Sequence, residues 1–85
     1  MSPREHVDDP LSWVLARFEK GAIHPIGFRW KQREFAVTSV NARWTDRSTR
    51  PIRWCFAVTV GSGEVMELVY REGDPVWYVA AVQTS

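Results

Sequence analysis

The sequence predicts a single small, mainly β domain of five or six antiparallel strands, arranged as a meander or an SH3-like, partly open barrel. Three observations predict it. Residues 52–60 alternate cleanly, with Ile52, Trp54, Phe56, Val58 and Val60 on one face and Arg53, Cys55, Ala57 and Thr59 on the other. Period-two alternation of aromatic and β-branched residues marks a strand with one large apolar face, which other elements must cover. The turn signals Gly61-Ser62-Gly63 and Arg71-Glu72-Gly73-Asp74-Pro75 cut the following chain into runs of strand length. Five Trp, four Phe and two Tyr supply bulk for a core; each buried ring removes roughly 150–250 Å² from water.

Length sets the remaining bounds. Eighty-five residues make one domain. A chain of this size buries only about 60–65% of the surface it exposes when unfolded, so the aromatic residues matter to its stability. Cys55 is the sole cysteine, which excludes an intrachain disulfide and fits a reducing, cytoplasmic setting. The first ten residues are charged and lack the apolar run of a signal peptide, and no stretch approaches the 18 apolar residues of a membrane helix. Net charge is +1, but it is unevenly placed. Residues 29–53 hold seven basic and two acidic residues, a local balance of +5, whereas the rest of the chain holds four basic and eight acidic. That asymmetry is the most function-like feature of the composition.

In chain order, residues 1–8 read as a flexible polar leader to a domain spanning 9–85. Residues 9–20 support two readings. A short helix would have Asp9 as N-cap, Pro10 in the first turn and Gly21 as its stop. Leu11, Val14, Leu15 and Phe18 would then share a face. An extra strand would set Val14, Ala16 and Phe18 against Trp13, Leu15, Arg17 and Glu19. Local signals favour the helix. Residues 21–27, with Pro25 and two glycines, read as a loop. Residues 28–40 read as a hairpin turning through Lys31–Gln32, and the polar run 41–50 as an exposed connection. Pro51 marks the entry to the strand at 52–60. Further strands follow at 64–70 and 76–82, the latter apolar throughout and therefore expected to be covered on both sides.

With the strands placed, a spacing pattern emerges. It runs through Pro25, Phe28, Trp30, Arg33, Phe35 and Val37, then the lone Trp44. It continues through Arg53, Trp54, Phe56 and Val58, the turn at Gly63, Glu67-Leu68, and Trp77-Tyr78-Val79. The pattern resembles a family of short, uncharacterised bacterial proteins, some of them encoded beside Y-family translesion DNA polymerases. The resemblance covers about two-thirds of the chain. It implies a compact β domain in which the stretch before Gly21 is extended, and it implies DNA-repair company. The family has no established activity, so no residue acquires a role from it.

The inventory offers little to an enzyme, and none is expected. His6 and His24 lie far apart and no metal-ligand spacing occurs, so neither metal nor cofactor is expected. Cys55, between Trp54 and Phe56, has no base assigned to it and reads as a structural thiol. Asp8-Asp9 and the pair Glu72 and Asp74 sit where backbone geometry alone explains acidic residues. The segment Gly61-Ser62-Gly63 lacks the lysine and helix of a phosphate loop.

What remains is a basic-aromatic constellation. Arg29, Lys31 and Arg33 surround the hairpin turn, while Arg43, Trp44, Arg47 and Arg50 occupy the polar run. Cations release counterions from a phosphate backbone, and an exposed indole stacks on an unpaired base. The first functional expectation is therefore a non-enzymatic nucleic-acid-binding accessory to DNA repair, with DNA or a repair protein as partner. The bland reading of the same residues is a solvated outer face with core tryptophans. The alternative is a protein-interaction module using an aromatic groove or an open sheet edge. Exposed tryptophans inside the basic patch favour the first, and exposed tryptophans outside it favour the second.

Overall fold

The computed structural model describes residues 4–83, all of which belong to one antiparallel sheet or its turns. Seven strands follow one another: β1 (Arg4–Pro10), β2 (Trp13–Glu19), β3 (Ala22–Trp30), β4 (Arg33–Asp46), β5 (Arg53–Val60), β6 (Val65–Arg71) and β7 (Trp77–Gln83). Their order across the sheet is β1-β7-β6-β5-β4-β3-β2, so β2 to β7 form a meander and β1 returns to lie beside β7. No described helix exists to cross a membrane or to cover the sheet.

A sheet without a helical layer has to bury its apolar face against itself, which requires curling. Two segments achieve this by changing partner. In β4, Arg33–Ala36 pair with β3, whereas Val37–Asp46 pair with β5, with irregularities at Val37/Ser39 and Val40/Ala42. The N-terminal run behaves similarly: β1 pairs with β7 and β2 with β3. Between them, Leu11 N–H donates to Trp77 O (2.8 Å) and Ser12 N–H to Arg29 O (2.9 Å). The two edge strands are thus consecutive in sequence and tied at one corner, while β1 and β2 remain unpaired with each other.

The core lies inside the curl. Phe28, Val58, Leu68 and Val79 are fully buried, with Val60 and Met66 beside them. Phe28 stacks on Phe35 (centroids 5.1 Å apart), and Trp77 stacks on both Phe56 and Tyr70 (5.4 Å each). The alternation expected over 52–60 appears from Arg53 onward, with Phe56, Val58 and Val60 inward and Trp54 packed on the core from a half-buried position; Ile52 precedes the strand, and Cys55, expected on the other face, is buried as well. At the closing corner Leu11 is buried in the same core, and the Trp30 indole donates to Asp9 Oδ2 (3.3 Å).

Several expectations need correction. The count is seven strands, because the regions read as non-strand are extended. Residues 4–8 of the expected leader belong to β1, and residues 1–3 lie outside the described part. The helix reading of 9–20 is overturned. Leu11 is buried and Val14 half-buried, whereas Leu15 and Phe18 are exposed, so the four residues that would share a helical face do not share one here. Pairing with β3 overrides local propensity. Of the loop expected at 21–27, Gly21 lies in the β2–β3 turn and 22–27 are the first part of β3. Pro25 is tolerated there because β4 pairs only with Gly27–Trp30 and because β2 slips register opposite it. The expected connection at 41–50 is strand as far as Asp46. Finally, β7 is covered fully on its inner face only, since Tyr78, Ala80 and Val82 are half-buried.

Two turns show why the hairpins close tightly. Lys20–Gly21 and Lys31–Gln32 both take positive φ at each residue (51° and 77°; 51° and 62°), as two-residue hairpin turns require. Glycine accepts this freely; Lys31 and Gln32 do so at some strain.

Replacing Phe28 or Leu68 by Ala is expected to lower the unfolding free energy by about 3–5 and 2–5 kcal/mol respectively. Against a total of roughly 5–15 kcal/mol these are large losses, and urea titration measures them. Glu72→Ala, at an exposed turn position, should stay within about 0.5 kcal/mol.

Candidate interaction surface

Five tryptophans share one small sheet, and the structure divides them by exposure. Trp77 is buried and Trp30 and Trp54 are half-buried, whereas Trp13 (43% exposed) and Trp44 (42%) face solvent. Trp13 lies on β2, together with Leu15 (57%) and Phe18 (73%). Ile26, the extra residue at the β2–β3 register slip, is also exposed.

The two edges of the sheet differ in kind. Edge β1 carries Glu5, His6, Asp8 and Asp9, a register slip after His6, a positive φ at Asp8 and a terminal Pro10. Charge, irregularity and proline are the devices by which natural sheets blunt an edge. Edge β2 has only Arg17 and Glu19, which pair with each other at 3.7 Å, and is otherwise apolar. Its β-hairpin with β3 is basic, since Arg17, Lys20 and Arg29 outnumber Glu19.

Beside this edge the sheet opens. Past Ala36 strand β4 leaves β3 for β5, and a cavity of about 460 Å³ lies in the gap. Phe18, Gly21 of the β2–β3 turn, and Ala22 and Ile23 at the start of β3 form one wall. Arg43, Trp44 and Thr45 on β4, with Trp54, Cys55 and Phe56 on β5, form the other. Arg43 spans the gap: its Nη1 donates to Ile23 O and its Nη2 to His24 Nδ1 (3.0 Å). Burial pushes the Cys55 thiol above its ordinary range; Asp46 and Glu67 push the same way and Arg53 opposes them. A thiol held protonated is a poor nucleophile. At the far end of β4 the Asp46 carboxyl is held below its ordinary range, chiefly because the Ser48 hydroxyl (2.6 Å) and backbone N–H (3.0 Å) both donate to it.

The seven basic-aromatic candidates fall into two groups along the chain of β3 and β4. Arg29, Lys31 and Arg33 sit at the β3–β4 turn, whereas Arg43, Trp44, Arg47 and Arg50 lie at and beyond the opposite end of the bent strand β4. The three cations at the turn, and Arg43, are engaged within the molecule. Arg29 lies 3.8 Å from Glu34, Lys31 stands 4.8 Å over the Trp30 ring, and Arg33 stands 4.9 Å over Phe35. Arg47 and Arg50 are exposed without a partner among the described residues, near exposed Trp44 in the chain. Residue-type reasoning missed the β2 edge. Its signal is present in the alternation of residues 13–19, which the capping pattern at Asp9-Pro10 outweighs.

No protein-family model matches the chain, and no curated protein or solved structure matches it.

The native chain is expected to react with a thiol reagent such as a maleimide at least about tenfold more slowly at pH 7.5 than the urea-unfolded chain, because Cys55 is both covered and protonated. Stopped-flow or mass-spectrometric labelling measures the two rates.

Proposed function

We propose that this protein is a non-enzymatic protein-interaction module that adds an extended partner segment to edge β2. We read its scaffold as a partly open barrel of the SH3-like kind, working in a reducing compartment such as the cytoplasm. The observation that carries the reading is the contrast between the edges: β1 is blunted, whereas β2 presents Trp13, Leu15 and Phe18 to solvent on an unpaired strand edge. An added strand satisfies the open backbone groups, and alternate side chains supply selectivity. Arg17 and Arg29 are paired with Glu19 and Glu34, which leaves Lys20 in the adjoining turn as the cation that favours an acidic residue in an otherwise apolar, alternating segment.

A second reading keeps nucleic acid as the partner. It is supported by Trp44, exposed near the unpartnered cations Arg47 and Arg50, and by the resemblance to proteins encoded beside translesion polymerases. That surface is small, and it stands apart from the cations at the β3–β4 turn.

One experiment separates the two. A random decapeptide library is selected on the wild-type chain and on a Leu15→Lys, Phe18→Lys double variant, and the winners are titrated by ¹⁵N NMR. Edge addition predicts extended peptides with alternating apolar residues that shift the β2 amides, lose at least about tenfold in affinity to the double variant, and depend weakly on salt. Absence of any enriched peptide, or shifts confined to residues 43–50, counts against it. For the second reading, a single-stranded 20-mer should bind with a log–log salt slope of about −0.7 per phosphate contacted. Arg47→Glu with Arg50→Glu should abolish that binding while leaving the melting temperature unchanged.

A further inference from the structure

We infer that the cavity between the β2–β3 turn and β4–β5 is a binding site for a small amphipathic anion: a carboxylate carried on an apolar body, about ten heavy atoms in all. The inference is independent of the edge reading. The cavity volume of about 460 Å³ falls in the range of ligand pockets, roughly 300–1,000 Å³. Phe18, Ile23, Trp54 and Phe56 give it an apolar lining, which accounts for the body of the ligand.

The polar groups of the wall account for the ligand's charge. Among the described residues no carboxylate lines the cavity, and Arg43 is the only charged residue that does. A guanidinium carries five N–H donors, and Arg43 spends two groups, Nη1 and Nη2, one bond each, on Ile23 O and His24 Nδ1. Those two contacts fix the guanidinium at the wall and leave donors over. The Thr45 hydroxyl and the indole N–H groups of Trp44 and Trp54 also have no partner among the described residues. The residues that line the cavity thus carry more unused donors than acceptors, the Thr45 hydroxyl being their one side-chain oxygen. Such a wall selects a head group that accepts hydrogen bonds and carries negative charge. The remaining heteroatom of the wall, the Cys55 sulfur, is covered and serves as a reporter rather than a participant.

The test uses the whole chain with octanoate and 1-octanol as probes at pH 7, followed by calorimetry and tryptophan fluorescence. Octanoate is expected to bind with a dissociation constant on the order of 0.1–1 mM, within the range for a ligand of about ten heavy atoms, and octanol about tenfold more weakly. In Arg43→Gln the preference for octanoate over octanol disappears, and Arg43→Lys restores part of it. Octanoate also slows maleimide labelling of Cys55 in the wild-type chain, which locates the ligand in this cavity. Should Arg43→Gln fail to fold, Ile23→Trp, which adds an indole to the wall, tests the same site by abolishing binding of both probes. Any of three results overturns the inference: no octanoate binding at about 10 mM, well above the expected dissociation constant; equal binding of the two probes by the wild type; or binding that leaves the Cys55 labelling rate untouched.

Discussion

Two backbone hydrogen bonds at one corner, from Leu11 N–H to Trp77 O and from Ser12 N–H to Arg29 O, tie the ends of the sheet together. Without a helix to cover it, the inner face of this sheet can leave water only if the sheet folds over on itself. A single extended run, from Arg4 to Glu19, accomplishes that by pairing first with β7 and then with β3. Leu11 then falls inside the curl, and the Trp30 indole meets Asp9 across the seam. The core of Phe28, Val58, Leu68 and Val79 draws on the neighbouring strands β5, β6 and β7 and on β3, and Leu11 at the corner belongs to the same cluster.

Partner exchange has a structural consequence. A strand that leaves one neighbour for another opens a gap where the two diverge. On β4 this happens after Ala36, and the gap extends to Arg43 and Trp44. The gap is spanned by Arg43, whose long side chain reaches the carbonyl of Ile23 and the ring of His24. The planar guanidinium suits this task because it donates in two directions at once. Arg43 is thus first of all a strut, and its remaining donors are held in place by the same contacts.

How much of this is legible in the sequence depends on whether a segment's conformation is decided locally. Residues 52–60, the Lys31–Gln32 turn and the Gly61–Gly63 turn are readable because alternation and turn chemistry are local properties. Residues 9–20 mislead because Asp9-Pro10 imitates a helix start, whereas the actual determinant is β3, reached only after the chain has turned back. Residues 22–27 look like a loop because Pro25 and Gly27 are strand-breakers in isolation. The register slip opposite Pro25, and the close approach of Phe35 O to Gly27 (3.2 Å from where a Cβ would stand), make them suitable here. The basic residues stand out in the sequence, but linear crowding says nothing about which of them share a surface. Partner choice along β4 decides that, and nothing in the order of residues 33–46 announces the switch at Val37.

The cations that look most like a nucleic-acid footprint are largely spent on the fold, and this bears on what the molecule presents to a partner. Lys31 and Arg33 lie over Trp30 and Phe35, two rings packed at the rim of the core. Arg71 likewise covers Tyr78 while facing Asp8 on edge β1. Cations placed over aromatic faces shield apolar surface as well as carrying charge, so in a domain without a helical layer they cover part of what that layer would. Edge β1 receives that kind of protection, from Arg71 and from its own carboxylates. Edge β2 receives none: its Arg17 and Glu19 neutralise each other, and Trp13, Leu15 and Phe18 remain uncovered. A chain that shields one edge with charge, a kink and a proline, and leaves the other apolar and open, differs from one that has merely run out of surface polarity. The asymmetry between the edges is what singles out β2 as the place where another strand fits.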